Sequence, residues 1–384
     1  MILFLTLRGS PGSAAAVALT PWWCLACGPV SGADLFQNLL LFLPLGLVMG
    51  MAGWHWGRSA LILAAIPVAI EVSQALLQNG RDAALGDVIA NAAGGLVGWW
   101  LGSGALSRLV RWPHLAPATV AVFCVQLALT ALLGRPAAAG PEPWQLRLNP
   151  ATGHRPTYAG EVRQVLLGDV ALSDEAPLPS PIRVRGANGF SATFTWDTTG
   201  GSDLTPILRL DDGRGWEILS LDRRDDAIGM TLRTRAGLLR FRNPVLRVPV
   251  GEVEPGEPLT GELSLGRGEI RAELTGAYTA ALSLRWGAQH GWVFINPFTP
   301  VHHSGETWEW WTLGWLLGWG VVIALASWYA TRRWLWLVLS LGGLWLTTQL
   351  AGAGATSEER IALALGWMLV ELSRIALRRR PAAA

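Results

Sequence analysis

"IEVSQALLQNGRDAALGDVIAN", Ile70 to Asn91, joins the end of one membrane-length apolar run to the start of the next, and it sets Glu71, Gln74, Arg81, Asp82, Asp87 and Asn91 in and around hydrocarbon. Outward from this stretch the chain reads as runs of about 17–25 apolar residues, the length a helix needs to span a bilayer. Seven are expected, near 34–54, 58–78, 85–103, 115–134, 310–330, 334–352 and 360–377. A shorter run, Met1–Leu7, ends at Arg8 and has no basic region ahead of it, so it reads as a first helix cut short rather than a cleaved signal peptide.

Composition agrees. Hydrophobic residues make up 51% of the 384 positions and charged residues 15%, more apolar than one soluble core requires. Many of the 22 tryptophans, among them Trp54, Trp56, Trp99, Trp100, Trp308, Trp310 and Trp311, fall near the ends of apolar runs, where the amphipathic indole suits a headgroup interface. The chain has no lysine, its 30 basic residues are all arginine, and they are scattered for a net charge of +2, which excludes a nucleic-acid patch.

Residues 136–305 change character. Apolar residues alternate with polar ones in "FSATFTW" from Phe190, "GWEILSL" from Gly215 and "TAALSLRW" from Thr279, between Gly- and Asp-rich turns. Period-two patterning of this kind predicts short antiparallel strands. The expected fold class is a polytopic α-helical membrane bundle carrying an exported all-β sandwich of jelly-roll or concanavalin-like type. Its domains are 1–134 (helical bundle), 140–304 (sandwich) and 308–380 (three further helices). Arg58, Arg108 with Arg111, Arg332 with Arg333, and Arg378–Arg380 fall on alternate loops, which makes that side cytoplasmic, with the C-terminus, and the sandwich extracytoplasmic.

Within the first domain each helix carries one polar stripe: Asp34 and Asn38; Glu71, Gln74 and Gln78; Asp87 and Asn91, followed by Gly94, Gly95 and Gly98. At 1.5 Å per residue, Asn38, Glu71 and Asn91 lie about 6–10 Å inside. A carboxylate at that depth costs roughly 2.5–3.5 kcal/mol if it faces lipid, so the stripes are expected to face one another. Pro44 and Pro67 interrupt backbone hydrogen bonding in the first two helices. Asp34 and Asp87 also read as helix caps and Arg81–Asp82 as a solvated turn, whereas neither capping nor solvation accounts for Glu71. Arg81 is the one cation the sequence puts within reach, suited to a carboxylate or phosphate.

These residues carry a resemblance. "DLFQNLLLFLPLG" (34–46) with the stretch 70–98 resembles the VanZ-like membrane family, matching at Asp34, Asn38, Phe42, Pro44, Gly46, Glu71, Gln74, Arg81, Asp82, Asp87, Asn91 and Gly94. The resemblance implies a polytopic envelope protein, of a family whose namesake is associated with teicoplanin resistance through a poorly defined activity. The β region, chiefly 206–234, is similar to laminin-G or concanavalin-like sandwiches, which implies a surface-glycan partner but does not confer one.

The expected ligand is a membrane lipid or lipid-linked envelope precursor, with Glu71 and Asp87 as candidate acid/base groups. Asp34, Asn38, Gln74, Arg81, Asp82 and Asn91 are the candidate binding groups; whether a reaction occurs stays open. The alternative is a non-catalytic adhesion or sensing module in which the sandwich captures glycans, and a transporter ranks last. No cofactor or metal is expected: Asp211–Asp212 reads as a hairpin before a calcium site, and Cys24-x-x-Cys27 lacks further ligands and reads as a local disulfide or two inert thiols. His302–His303 read as interfacial, and Glu371 with Arg374 as a helical pair.

Overall fold

The structure, a computed structural model, describes residues 22–26, 31–77, 84–105, 108, 111–135, 144–150, 157–174, 177–178, 189–198, 204–211, 217–224, 226–266, 268–295 and 305–378. Arg81, Asp82, Gln78, Cys27, Asp212, His302, His303 and the Met1–Leu7 run lie outside them. Helices α1 (Ser31–Met51), α2 (Trp56–Leu77), α3 (Leu85–Trp100) and α4 (Leu115–Leu133) precede the β region. A single turn, α5 (Arg235–Leu238), lies inside it, and α6 (Gly305–Ala326), α7 (Arg333–Ala351) and α8 (Ser357–Arg378) follow.

Each of the seven expected segments is thus helical, but among the described residues five helices are long and apolar enough to cross a membrane: α1, α2, α4, α6 and α7. The other two differ for separate reasons. α3 has 16 residues and continues as a π-type turn, Leu101–Ala105. α8 is long enough but charged: Glu359 and Glu371 are buried in it and paired with arginines.

The helices pack in two groups, α1–α3 and α4 with α6–α8. In the first, small residues let backbones touch: a Cβ on Gly46 would stand 1.8 Å from the Gly95 carbonyl oxygen, and one on Gly98 2.1 Å from that of Leu43. Between α6 and α8, Gly366 plays the same part, its would-be Cβ 2.0 Å from the Leu317 carbonyl oxygen. Without a hydrophobic force between helices in lipid, such close approach is what dispersion needs. Pro44 and Pro67 sit inside continuous helices.

Among the described residues twelve strands form two antiparallel sheets. One runs β4 (Pro177–Leu178), β1 (Trp144–Leu148), β6 (Thr205–Asp211), β7 (Glu217–Arg224), β8 (Ala227–Leu232), β9 (Val245–Pro249). The other runs β12 (Ala280–Arg285), β11 (Glu269–Gly276), β10 (Pro258–Gly266), β5 (Phe190–Thr195), β2 (Val162–Leu167), β3 (Val170–Ala171). Alternation works as expected in β5, where Phe190, Ala192 and Phe194 enter the core with Leu208, Leu221, Met230 and Leu246 of the facing sheet. β8 departs from it, being buried on both faces. The same core takes in Trp292 and Trp308, so it runs on into the start of α6.

Among the described residues, the β domain bonds to the helices at the starts of α1, α6 and α8 and just past the end of α4, which mark one end of the bundle. At the other, Glu371 of α8 pairs with Arg374, as expected, and also with Arg333 of α7. The Arg333 guanidinium Nε donates to the Ser327 carbonyl at 2.9 Å, closing the end of α6.

Gly98→Ala is expected to force α1 and α3 apart at a cost of about 1–3 kcal/mol, as overpacking does. Gly342→Ala in α7, where a Cβ meets nothing within 4 Å, is expected to be neutral or mildly stabilising. Thermal unfolding of the two variants in detergent measures the contrast; equal midpoints would refute the packing account.

Candidate functional site

At the β-domain end of α1–α3 the polar stripes of α1 and α3 meet directly, and that of α2 reaches the start of α3 through Glu71. Asn38 of α1 donates to Asp87 Oδ1 of α3 at 2.6 Å. Glu71 is 8% exposed, Gln74 5% and Asn91 2%, so none of the three faces lipid. Asn91 Oδ1 is buried and accepts no hydrogen bond among the described residues. Four residues further along α3 than Asp87, it lies about 6 Å deeper. The layer is therefore staggered: Asn38 and Asp87 pair at one level, Asn91 lies one turn deeper on α3, and Glu71 is buried at the start of that helix.

Glu71 has the capping role that the sequence reading denied it. Its Oε2 accepts the Ala84 backbone N–H at 3.0 Å, and Ala84 is the N-cap of α3. The next two donors of that helix go elsewhere: Leu85 N–H to the Trp22 carbonyl at 2.8 Å and Gly86 N–H to the Cys24 carbonyl at 3.0 Å. A helix leaves its first N–H groups without internal partners, and a carboxylate there also meets the positive end of the helix dipole. Asp87, also read as a cap, is not the N-cap but lies in the first turn, where it accepts from Asn38. Cys24 is disulfide-bonded and Cys124 is free, which favours the disulfide over two inert thiols.

Asp34 is not an N-cap either, since α1 begins at Ser31. It pairs at 3.3 Å with Arg242, a residue of the β domain between α5 and β9. Burial pulls the Arg242 guanidinium down from its usual pKa and the Asp34 carboxylate pulls it back up. The expectation that Arg81 is the only cation in reach is thereby corrected, because Arg242 and its neighbour Arg240 come from about two hundred positions away. The Arg240 carbonyl accepts the Gly32 N–H at 3.1 Å and the Ala33 N–H at 3.4 Å, capping α1 from outside. Its guanidinium reaches the Ala26 carbonyl and Ser31 Oγ.

This clamp has a defined local cause. The Phe241 N–H returns to the Ala236 carbonyl and the Arg240 N–H to that of Gly237, which is a Schellman ending of α5 with Arg240 in the left-handed position at φ +58. Glycine is usual there, and a side chain costs on the order of 1–2 kcal/mol. The cost is offset by what Arg240 holds. The signal in the sequence was "RAGLLRFRNP", where period-two alternation stops and arginines bracket a Leu-Leu pair.

Residues 4–107 match the VanZ/LLP1 family. The matched segment holds every polar residue of the layer and begins upstream of Asp34, where the resemblance read from the sequence began. No curated protein and no solved structure matched the chain. The β domain is accordingly described by its two sheets, and the VanZ-like segment by its helices. Among the described residues no group of three or more His, Cys, Asp or Glu is placed to hold a metal ion.

A second buried polar cluster joins the β domain to α4 and α6–α8. The 3-10 segment Ala288–Ile295, which follows the last strand, is almost wholly buried. His290 within it is stacked on Trp286 at 6.1 Å and tilted against Trp308 at 5.2 Å. Trp286 Nε1 donates to the Gly134 carbonyl at the end of α4 at 2.8 Å, and Arg285 donates to Glu359 of α8 at 2.6 Å. Glu359 also accepts the Thr356 N–H at 2.8 Å.

Burial holds His290 down to a pKa of about 3, with Arg285 adding to the shift and a Gly287 backbone hydrogen bond opposing it. The folded protein keeps this imidazole neutral while the unfolded chain takes up a proton below about 6.5. Stability is then full above that value and falls as pH drops below it, by up to about 1.4 kcal/mol per pH unit from this group. The expected outcome is a melting midpoint that declines between pH 6.5 and 4.5, and declines less in His290→Gln; parallel profiles for the two proteins would count against it.

Proposed function

We propose that this VanZ-like membrane protein works in the bacterial cell envelope, where the staggered polar layer of α1–α3 binds the headgroup of a membrane-embedded, lipid-linked or otherwise anionic amphiphile. The observation that carries the reading is Asn91, 2% exposed, whose Oδ1 accepts no hydrogen bond among the described residues, one turn below the Asn38–Asp87 pair and the buried Glu71. A buried carbonyl oxygen of this kind is costly unless something donates to it. Hydroxyl and amide groups of a glycan headgroup are suitable donors, and Arg242 at the rim, with Arg81 beyond the described residues, suits a phosphate.

Glu71 spends one carboxylate oxygen on a helix end, which favours an acceptor and positioning role over proton transfer. Binding is therefore preferred to catalysis, and Asp87 is preferred as a holder of Asn38. With the β domain on the extracytoplasmic side, as the arginine distribution implies, the layer opens toward the leaflet that meets glycopeptide antibiotics. Holding a precursor there would alter how much of it those antibiotics reach.

The glycan-capture alternative has one observation in its favour. Asp211 on the outward face of β6 has a side chain 4% exposed between Arg147 and Arg209, each 3.5 Å away. A buried, arginine-flanked carboxylate on a sheet face is a plausible sugar contact by chemistry alone. Deleting the β domain cannot separate the two readings, since Arg240 caps α1; point substitutions can.

Native mass spectrometry of co-purified lipids, wild type against Asn38→Ala/Asn91→Leu, tests the leading reading. A lipid-phosphate or lipid-glycan adduct is expected on the wild type and at least tenfold less on the variant, at unchanged elution volume. Equal retention would remove the polar layer as the site, and loss in Asp211→Asn alone would favour the β domain.

A further inference from the structure

Among the described residues of the β domain, the large apolar side chains left substantially exposed are Val170, Leu238 and Leu239, and the last two are adjacent, 55% and 56% exposed. They end α5, whose position is fixed at both sides by helices of the bundle. Arg235 N–H donates to the Arg135 carbonyl at 2.9 Å, just past the end of α4. Gly32 N–H donates to the Arg240 carbonyl at 3.1 Å, at the start of α1. α1 and α4 are both candidate membrane spans, so the loop between these two anchors lies at the level where spanning helices leave the bilayer.

We propose that the Arg235–Phe241 loop is a lipid contact: Leu238 and Leu239 enter the hydrocarbon border of the leaflet on the β-domain side, and Arg235 and Arg240 lie at its phosphates. Three observations carry this. The loop base is rigid, with Thr234 N–H and Oγ1 both donating to Asn243 Oδ1 at 2.9 and 3.2 Å, so the leucines are presented and not merely loose. On the far side of Arg240 the segment Trp22–Ala26 exposes Trp22 at 67% and Leu25 at 59%, extending the apolar rim. Finally, guanidinium groups beside a Leu-Leu pair match the order of phosphate and acyl chain across a headgroup region.

The occupant is the bilayer because the patch is continuous with the lipid-facing surface of α1, where Leu35 and Phe36 are exposed one turn below the Gly32 contact. A protein partner on this patch would have to displace lipid from α1 as well. The inference rests on where the helix ends hold the loop and not on what the polar layer binds, so it stands or falls separately from that reading.

The test uses the full chain in nanodiscs of phosphatidylcholine and phosphatidylglycerol, in a Cys124→Ala background. Leu239→Cys carries an environment-sensitive nitrobenzoxadiazole label, and Arg271→Cys, on the exposed outer face of β11, is the aqueous control. Lipids spin-labelled at chain carbon five are expected to quench the label at 239 at least threefold more than the label at 271. Leu238→Cys repeats the measurement should the first variant fail to assemble. A label at either leucine quenched no more than the control, and reached instead by soluble iodide, would overturn the proposal.

Discussion

The first turn of a helix has N–H groups that the helix cannot satisfy, and where packing buries the helix start there is no water to take them. The VanZ-like segment resolves this with groups from other elements. Glu71 and the carbonyls of Trp22 and Cys24 take the donors at the start of α3, and the Arg240 carbonyl takes those of α1. The start of α3 is thereby locked to α2 and to the Trp22–Cys24 segment, and that of α1 to the β domain. The rest of the arrangement follows, because α1 and α3 can only lie backbone to backbone once their ends are level.

The β domain is consequently a structural part of the membrane site and not cargo tethered to it. Its arginines cap α1 and pair with Asp34, and its Ala288–Ile295 segment packs against α4, α6 and α7, while Gln37 of α1 donates to the Ile295 carbonyl at 2.9 Å. The two helix groups pack mainly within themselves, so the domain is also what couples them. A ligand that moved Asp34 or Arg242 would be felt in both groups, and the same contacts make the neutral state of His290 a condition of the joint.

The polar cluster illustrates how one side chain can serve structure and site together. A carboxylate at a helix start is held by the dipole and by a backbone donor while it remains part of the polar cluster. Asn38 and Asp87 bind each other, whereas Asn91 Oδ1 accepts no hydrogen bond among the described residues. Removing the caps would disorder the helix starts; removing Asn91 would leave them in place. That difference separates residues that build the layer from the one best placed to use it.

Apolar length marked all seven helical segments and period-two alternation marked the β region, because both are local: hydrogen-bond geometry ties them to neighbours a few residues away. The family resemblance, too, was visible in the residues of 34–98, and so was the burial of Glu71, since an acid within hydrocarbon has few other places to point. What capped those helices was decided only by tertiary contact. Arg242 and Arg240 stand some two hundred residues from Asp34 and Ser31, and no periodicity links them. Glu71 looked like chemistry without a structural explanation because its partner, one backbone N–H of the next helix, is a group that every residue but proline carries and that no sequence can single out.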